Sequence, residues 1–239
     1  IVVPAGDDQS YLANEQRSGL SLVFADRLPR LLRADAVVSD HAGGARLAVR
    51  HLLAAGHTRI AFLGDLHQIP TAADRFAGYS QALAEAHIGP DGDLIRMDLH
   101  NAEAAATATR SLLLGPRPSA LFPTQNLITI GALRALRELG LHDRIAVVGF
   151  DDILLADLLQ PAVTVIAQDP AAIGAKACEV LFQRMDGDTT PAVTRTIGTR
   201  LITRGSGEIA PGTVWQPRPD PGSTTGRTAG TGQPGVERD

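Results

Sequence analysis

Between Arg144 and Asp169 the chain carries two apolar runs, residues 145–148 and 163–167, and neither is interrupted by a polar residue at every second place. A strand with water on one face alternates, whereas a strand covered on both faces does not, so these runs read as parallel strands buried within an α/β layer. The first run ends on Gly149-Phe150-Asp151-Asp152 and the second on Gln168-Asp169, with a short helical passage expected between them. In open α/β sheets ligands sit beyond the carboxyl ends of such strands. Asp151 therefore stands in a binding position on chain order alone.

The same pattern recurs along the chain. Strands are expected at residues 1–3, at 20–25 before Asp26-Arg27, at 36–39 before Asp40, and at 59–63 before Gly64-Asp65. Others follow at 94–97, at 119–122 before Gln125-Asn126, at 194–197 and at 200–202. Helical spacing fills the gaps. Residues 7–19 read as a polar helical connection, and residues 43–55 as a helix with Leu47, Leu52 and Leu53 toward a core and Gly56 after its end. Thr71-Ala72-Ala73-Asp74 fits a capping pattern, with Arg75 in the first turn and Phe76, Tyr79, Leu83 and Ala86 on one face. Asn101 caps a helix over 102–114, a helix over 127–139 stops at Gly140, and Asp169-Pro170 opens one whose buried face is Ile173, Ala177, Val180 and Leu181. Residues 59–64 and 144–149 echo one another, as two related strand-to-helix turns on one sheet would.

Strands alternating with helices give an α/β fold with mainly parallel sheets. The strand ends then collect Asp26, Asp40, Asp65 with nearby Arg75, Gln125 with Asn126, Asp151 with Asp152, and Gln168. Carboxylates, amides and a guanidinium on one rim supply the paired donors and acceptors that a polyhydroxylated neutral ligand requires. The adjacent Asp151 and Asp152 could also form a metal or acid/base pair, but no further ligand spacing accompanies them, and a turn with one ligand contact is the simpler reading.

Composition narrows the function classes. Of 239 residues 44% are hydrophobic and 20% charged, which suits a soluble globular chain of one large or two small domains. A net charge of −4 carries no general basic signature for nucleic acid. The single cysteine, Cys178, excludes an intrachain disulfide and is expected to be a small buried apolar residue. No apolar run is long enough for a membrane helix. The histidines lack zinc-site spacing, and neither a dinucleotide fingerprint, a phosphate loop nor a nucleophile elbow occurs. The chain is read as non-enzymatic, with no cofactor and no metal.

Asp40-His41-Ala42-Gly43-Gly44-Ala45, the segment 51–64, Arg75-Phe76-Ala77-Gly78-Tyr79, Val147 to Asp152, and Pro161-Ala162-Val163-Thr164 with Gln168-Asp169 follow one another in an order that resembles the effector-binding core of the lactose/galactose repressor (LacI/GalR) family. The resemblance covers residues 1–206 and implies a periplasmic-binding-protein-like core of two Rossmann-like subdomains with parallel sheets. The chain is expected to start inside the first of them, which is incomplete, so the DNA-binding head falls outside it. Residues 1–38 and 169–196 would remain of the N-terminal subdomain, residues 39–168 and 197–209 would form the C-terminal one, and residues 210–239 a disordered tail. By the same resemblance Asp26, Arg75, Asp151 and Gln168 match effector contacts, while Gln125 and Asn126 stand where the family often has Asn and Asp. The implied protein is a cytoplasmic, sugar-sensing, homodimeric repressor that binds operator DNA through a helix-turn-helix absent from this chain, with no membrane partner. An extracytoplasmic sugar-binding protein of a transporter is the alternative.

Overall fold

In a parallel sheet covered by helices, successive residues of a strand enter two different cores, and both must be apolar. The computed structural model describes residues 1–4, 6 and 8–212; the expected tail lies outside these from residue 213 on. A 3-10 turn, Ser10–Leu12, and the short helix α1 (Ala13–Arg17) precede β1 (Val23–Ala25) and β2 (Asp35–Ser39). Then come α2 (His41–Ala54), β3 (Ile60–Leu63), α3 (Pro70–Glu85), β4 (Ile95–Arg96), α4 (Ala102–Leu114), β5 (Ala120–Pro123), α5 (Asn126–Glu138) and β6 (Ala146–Phe150). The chain continues with β7 (Thr164–Ala167), α6 (Pro170–Met185), β8 (Thr194–Ile197) and β9 (Arg200–Ile202).

The strands form two sheets. The smaller has the order β1-β2-β8, all parallel, and Val2 adds one parallel bridge to Phe24 at its edge. The larger has the order β4-β3-β5-β6-β7-β9, parallel except where β9 runs against β7. In β3, Ile60 and Phe62 pack with α2 and α3 residues such as Val49, Leu52 and Tyr79, while Ala61 and Leu63 pack with Leu112, Ile128 and Leu136 of α4 and α5. That two-sided burial accounts for the missing alternation. On the small sheet, Ile173, Ala177 and Val180 of α6 cover Val23, Ala25 and Val37. The two strands that echo one another in sequence, β3 and β6, share the large sheet with β5 between them.

Several local expectations change. Helix α3 starts at Pro70 with Ile69 as an N-cap that makes no side-chain bond, so Thr71 and Asp74 lie inside the helix. Proline at the first helical position has its φ already set and no N–H to satisfy, and it overrides the weaker capping pattern. Ala86 lies beyond the end of α3 and is exposed. After Asp152 the chain makes turns over 154–158 instead of a helix. Leu47 is 38% exposed. Cys178 is exposed as well, because the buried stripe of α6 runs through 173, 177 and 180 and passes it by.

The chain passes between the layers three times: from β2 into α2 at Asp40, from β7 into α6 at Gln168-Asp169, and from β8 into β9 at Gly198-Thr199. The carboxyl ends of both sheets lie at these passages.

Candidate functional site

Arg75 is the group around which the strand ends assemble. It sits in the second turn of α3, only 7% exposed, and its Nη1 donates to the carbonyl of Thr124, the residue after β5. Its guanidinium carbon lies 4.1 Å above the ring centroid of Phe150, the last residue of β6, a cation–π contact in a desolvated place. Nε and Nη2 both donate to Nδ1 of His41, at 3.3 and 3.2 Å. Nη2 lies 3.9 Å from Oδ2 of Asp151, and Oδ1 of Asp151 accepts from the amide of Gln168. Burial lowers the pKa of Arg75, and Asp151, Asp26 and Asp65 oppose that. A buried cation beside Asp151, with Asp26 of the small layer and Asp65 acting on it through their charge, is the electrostatic centre of these strand ends.

Each neighbour is positioned by a strand end. Asp26 follows β1 and Asp151 follows β6, and both adopt left-handed backbone conformations, φ +72° and +71°. Aspartate tolerates that region better than most residues, and such positions cluster where a ligand is clamped. Asp26 also pairs with Arg27 at 3.7 Å, with the two side chains 42% and 38% exposed. Asp152 is turned elsewhere: Arg204 grips both its oxygens at 2.7 Å and holds its carboxyl below the ordinary range. The adjacent aspartates thus divide, Asp151 toward Arg75 and Gln168 and Asp152 toward Arg204.

Gln125 is the N-cap of α5, its Oε1 accepting from Leu127 N at 2.7 Å and Ile128 N at 3.1 Å. Asn126, exposed, uses Oδ1 on Leu127 N at 2.7 Å. Their carbonyl oxygens are committed to the helix start, and their NH2 groups remain as donors. Asp40 likewise caps α2, accepting from Gly43 N at 2.7 Å. A cavity of about 240 Å³ opens between the loop 27–30 of the small layer and the loop 66–70 of the large one, next to Asp26 and Asp65. A larger cavity, about 870 Å³, lies at the amino-terminal edge of the small sheet, away from the strand-end groups. No cluster of three His, Cys, Asp or Glu side chains that could hold a metal occurs among the described residues.

Among the expected site residues, Arg75, Asp151 and Gln168 form one connected chain, and Asp26 acts on Arg75 through its charge. Gln125 and Asn126 stand on the same strand-end side without contacting that chain. Sequence reasoning missed His41 and Phe150. Both lie within the quoted motifs, at the passage from β2 to α2 and in the Gly-Phe-Asp-Asp turn, and that proximity was the available signal.

Comparison with known proteins gives the following. The periplasmic binding protein-like domain matches residues 49–207. The chain is 32% identical over 222 residues to the HTH-type transcriptional regulator CelR of Thermobifida fusca, covering 82% of this chain and 65% of that protein. It is 32% identical over 188 residues to the ribose operon repressor of Haemophilus influenzae, covering 77% and 57%. A solved CelR–cellobiose complex superposes with a TM-score of 0.75 at 29% identity, over 85% of this chain and 64% of the other. The chain thus spans less than two thirds of the length of these curated relatives.

Proposed function

We propose that this chain, which belongs to the periplasmic binding protein-like domain family and is similar to regulators of the lactose/galactose repressor type, is the ligand-sensing core of a DNA-binding transcriptional repressor. A sugar or similar small effector binds between the two layers, against Arg75, Asp151 and Gln168, with Asp26 facing from the small layer and the amides of Gln125 and Asn126 on the rim. The observation that carries this reading is the buried Arg75, held at the carboxyl ends of the strands by Thr124, His41 and Asp151. A guanidinium and a carboxylate fixed side by side offer the donors and acceptors that hydroxyl groups take.

Residues 1–38 with 169–196, and 39–168 with 197–209, act as the two subdomains, joined by the three passages that run beside the site. A ligand that touches both layers favours one arrangement over the other only by its differential affinity, on the order of 1–3 kcal/mol. A second copy of the chain completes a homodimer, and a helix-turn-helix in the intact protein reads operator DNA in the cytoplasm. The relatives are regulators, which favours this over a transporter's binding protein.

Calorimetry with cellobiose, D-ribose and D-galactose tests the reading. Binding of at least one sugar is expected, and Arg75→Ala or Asp151→Ala abolishes it while operator binding by the intact protein persists. Unchanged affinity in both variants removes the cleft assignment.

A further inference from the structure

We infer that His41 is a specificity-determining residue of this cleft, an uncharged imidazole that donates its Nε2–H to an acceptor oxygen of the effector. The inference rests on the effector reading above and extends it to the polarity of the groups the effector must carry.

His41 is the first residue of α2, immediately after the N-cap Asp40, where the chain enters the large layer. It is 4% exposed, and its ring is tilted against Phe150 at 5.8 Å between centroids. Its Nδ1 faces two donors of Arg75, at 3.3 and 3.2 Å. A guanidinium can only donate, so Nδ1 must present its lone pair. The ring is then neutral with its single hydrogen on Nε2, since a proton on both nitrogens would set a second cation against Arg75. Burial, Arg75 and Arg27 push its pKa down to about 3, in the same direction.

That Nε2–H has no partner among the described residues. A buried donor left unmet is costly, and native interiors rarely keep one without a use. The far end of the same chain shows the complement. Gln168 gives its NH2 to Asp151, because the reverse orientation would set a carbonyl against a carboxylate, and its Oε1 is a buried acceptor without a partner among the described residues. The sequence His41, Arg75, Asp151, Gln168 therefore runs from an unmet donor to an unmet acceptor. An effector satisfies it with an acceptor toward His41 and a donor toward Gln168, and a hydroxyl at each end, able both to accept and to donate, does so. A methylene at the His41 end leaves the donor unmet, and an amino group sets donor against donor.

Calorimetry with the full chain tests this, using the tightest binder among cellobiose, D-ribose and D-galactose and its monodeoxy series. The variants are His41→Gln, whose amide can accept from Arg75 and still donate, and His41→Leu, which can do neither. In the unsubstituted chain and in His41→Gln, one deoxy analogue is expected to bind on the order of 10-fold more weakly than its parent. In His41→Leu that gap collapses. If His41 only positioned Arg75, His41→Leu would weaken every analogue alike and keep the gap, which would overturn the inference while the effector reading stood. Long-range proton–nitrogen spectra of the imidazole give a ligand-independent readout: the Nε2–H form is expected from about pH 5.5 to about pH 8, and an Nδ1–H or charged ring overturns the inference. No binding of any of these sugars to the unsubstituted chain removes the effector reading, and this inference with it.

Discussion

Protonating His41 in the folded chain would charge a buried ring and set it against Arg75, with Arg27 adding to the repulsion, and for these reasons, burial foremost, its pKa falls to about 3 from an ordinary 6.5. Between those values the unfolded chain takes up a proton that the folded chain refuses, so the contribution to stability is complete above about pH 7 and shrinks as pH falls toward 3. His57, buried against Ser119 and the carbonyl of Ile209, shifts in the same direction. A difference measurement isolates His41. From about pH 7.5 to about pH 5 the unsubstituted chain should lose about 1–2 kcal/mol more than His41→Gln in urea titrations. Parallel losses would mean that His41 is not buried as a neutral ring. At this scale the sequence was partly legible. Asp151 and Gln168 were legible because chain order places them at strand ends, and Arg75 because it lies in a helix start just after one and within a motif that resembles the family's. His41 and Phe150 were not, since a histidine after an N-cap and a phenylalanine closing an apolar strand read as core, and only the fold brings both rings to one guanidinium.

Two helix pairs pack on the large sheet through a glycine each. A Cβ on Gly78 of α3 would stand 2.1 Å from the carbonyl oxygen of Ala42 and 2.9 Å from Cβ of Ala45, and one on Gly131 of α5 would stand 2.2 Å from that of Ala102 and 2.7 Å from Cβ of Ala105. Backbone cannot yield as a flexible side chain does, so Gly78→Ala and Gly131→Ala should each destabilise by about 1–3 kcal/mol or more. Gly174 of α6 meets nothing within 4 Å, and Gly174→Ala should instead stabilise by about 0.5–1 kcal/mol through helix propensity and a stiffer unfolded chain. Denaturant midpoints of the three variants decide this, and a neutral Gly78→Ala would mean that α2 and α3 are not in such close contact. From sequence these glycines look alike, as weak points in helical patterns. Local signals that need no partner were legible: Asn101 and Asp169-Pro170 at helix starts, and Gly56, Gly140 and Gly187 past helix ends, all three with positive φ. Signals that depend on a partner element were not. Periodicity gives α6 a buried stripe but does not say that the face bearing Cys178 and Phe182 stays exposed.

Across the whole molecule, the turns after β6 leave Leu154 91%, Leu158 71% and Leu155 56% exposed, and Ile130 and Leu127 of the neighbouring α5 are 45% and 42% exposed. Ile130, Leu133, Leu154, Leu155 and Leu159 border one cavity of about 280 Å³ with Arg134 and Arg137 at its side. Contiguous exposed leucines with a charged rim are how an interaction surface looks, and the commonest solution for a soluble homo-oligomer is a twofold contact of one such patch with its own copy. The patch begins directly after Asp151, so a contact there would fix the large layer and leave the small layer free to move about the three passages. Dimerisation through this face should therefore be nearly independent of the cleft. A stable contact needs about 800 Å² from each partner with an apolar centre, and a carboxylate buried there without a partner costs at least about 3 kcal/mol, near 100-fold in affinity. Sedimentation analysis should give a dimer for the unsubstituted chain and a monomer for the double variant Leu154→Asp, Leu158→Asp at the same micromolar concentration, with unchanged circular dichroism and sugar affinity. A monomer in both cases would rule out this face as the dimer contact, and a dimer in both would move the contact to another surface.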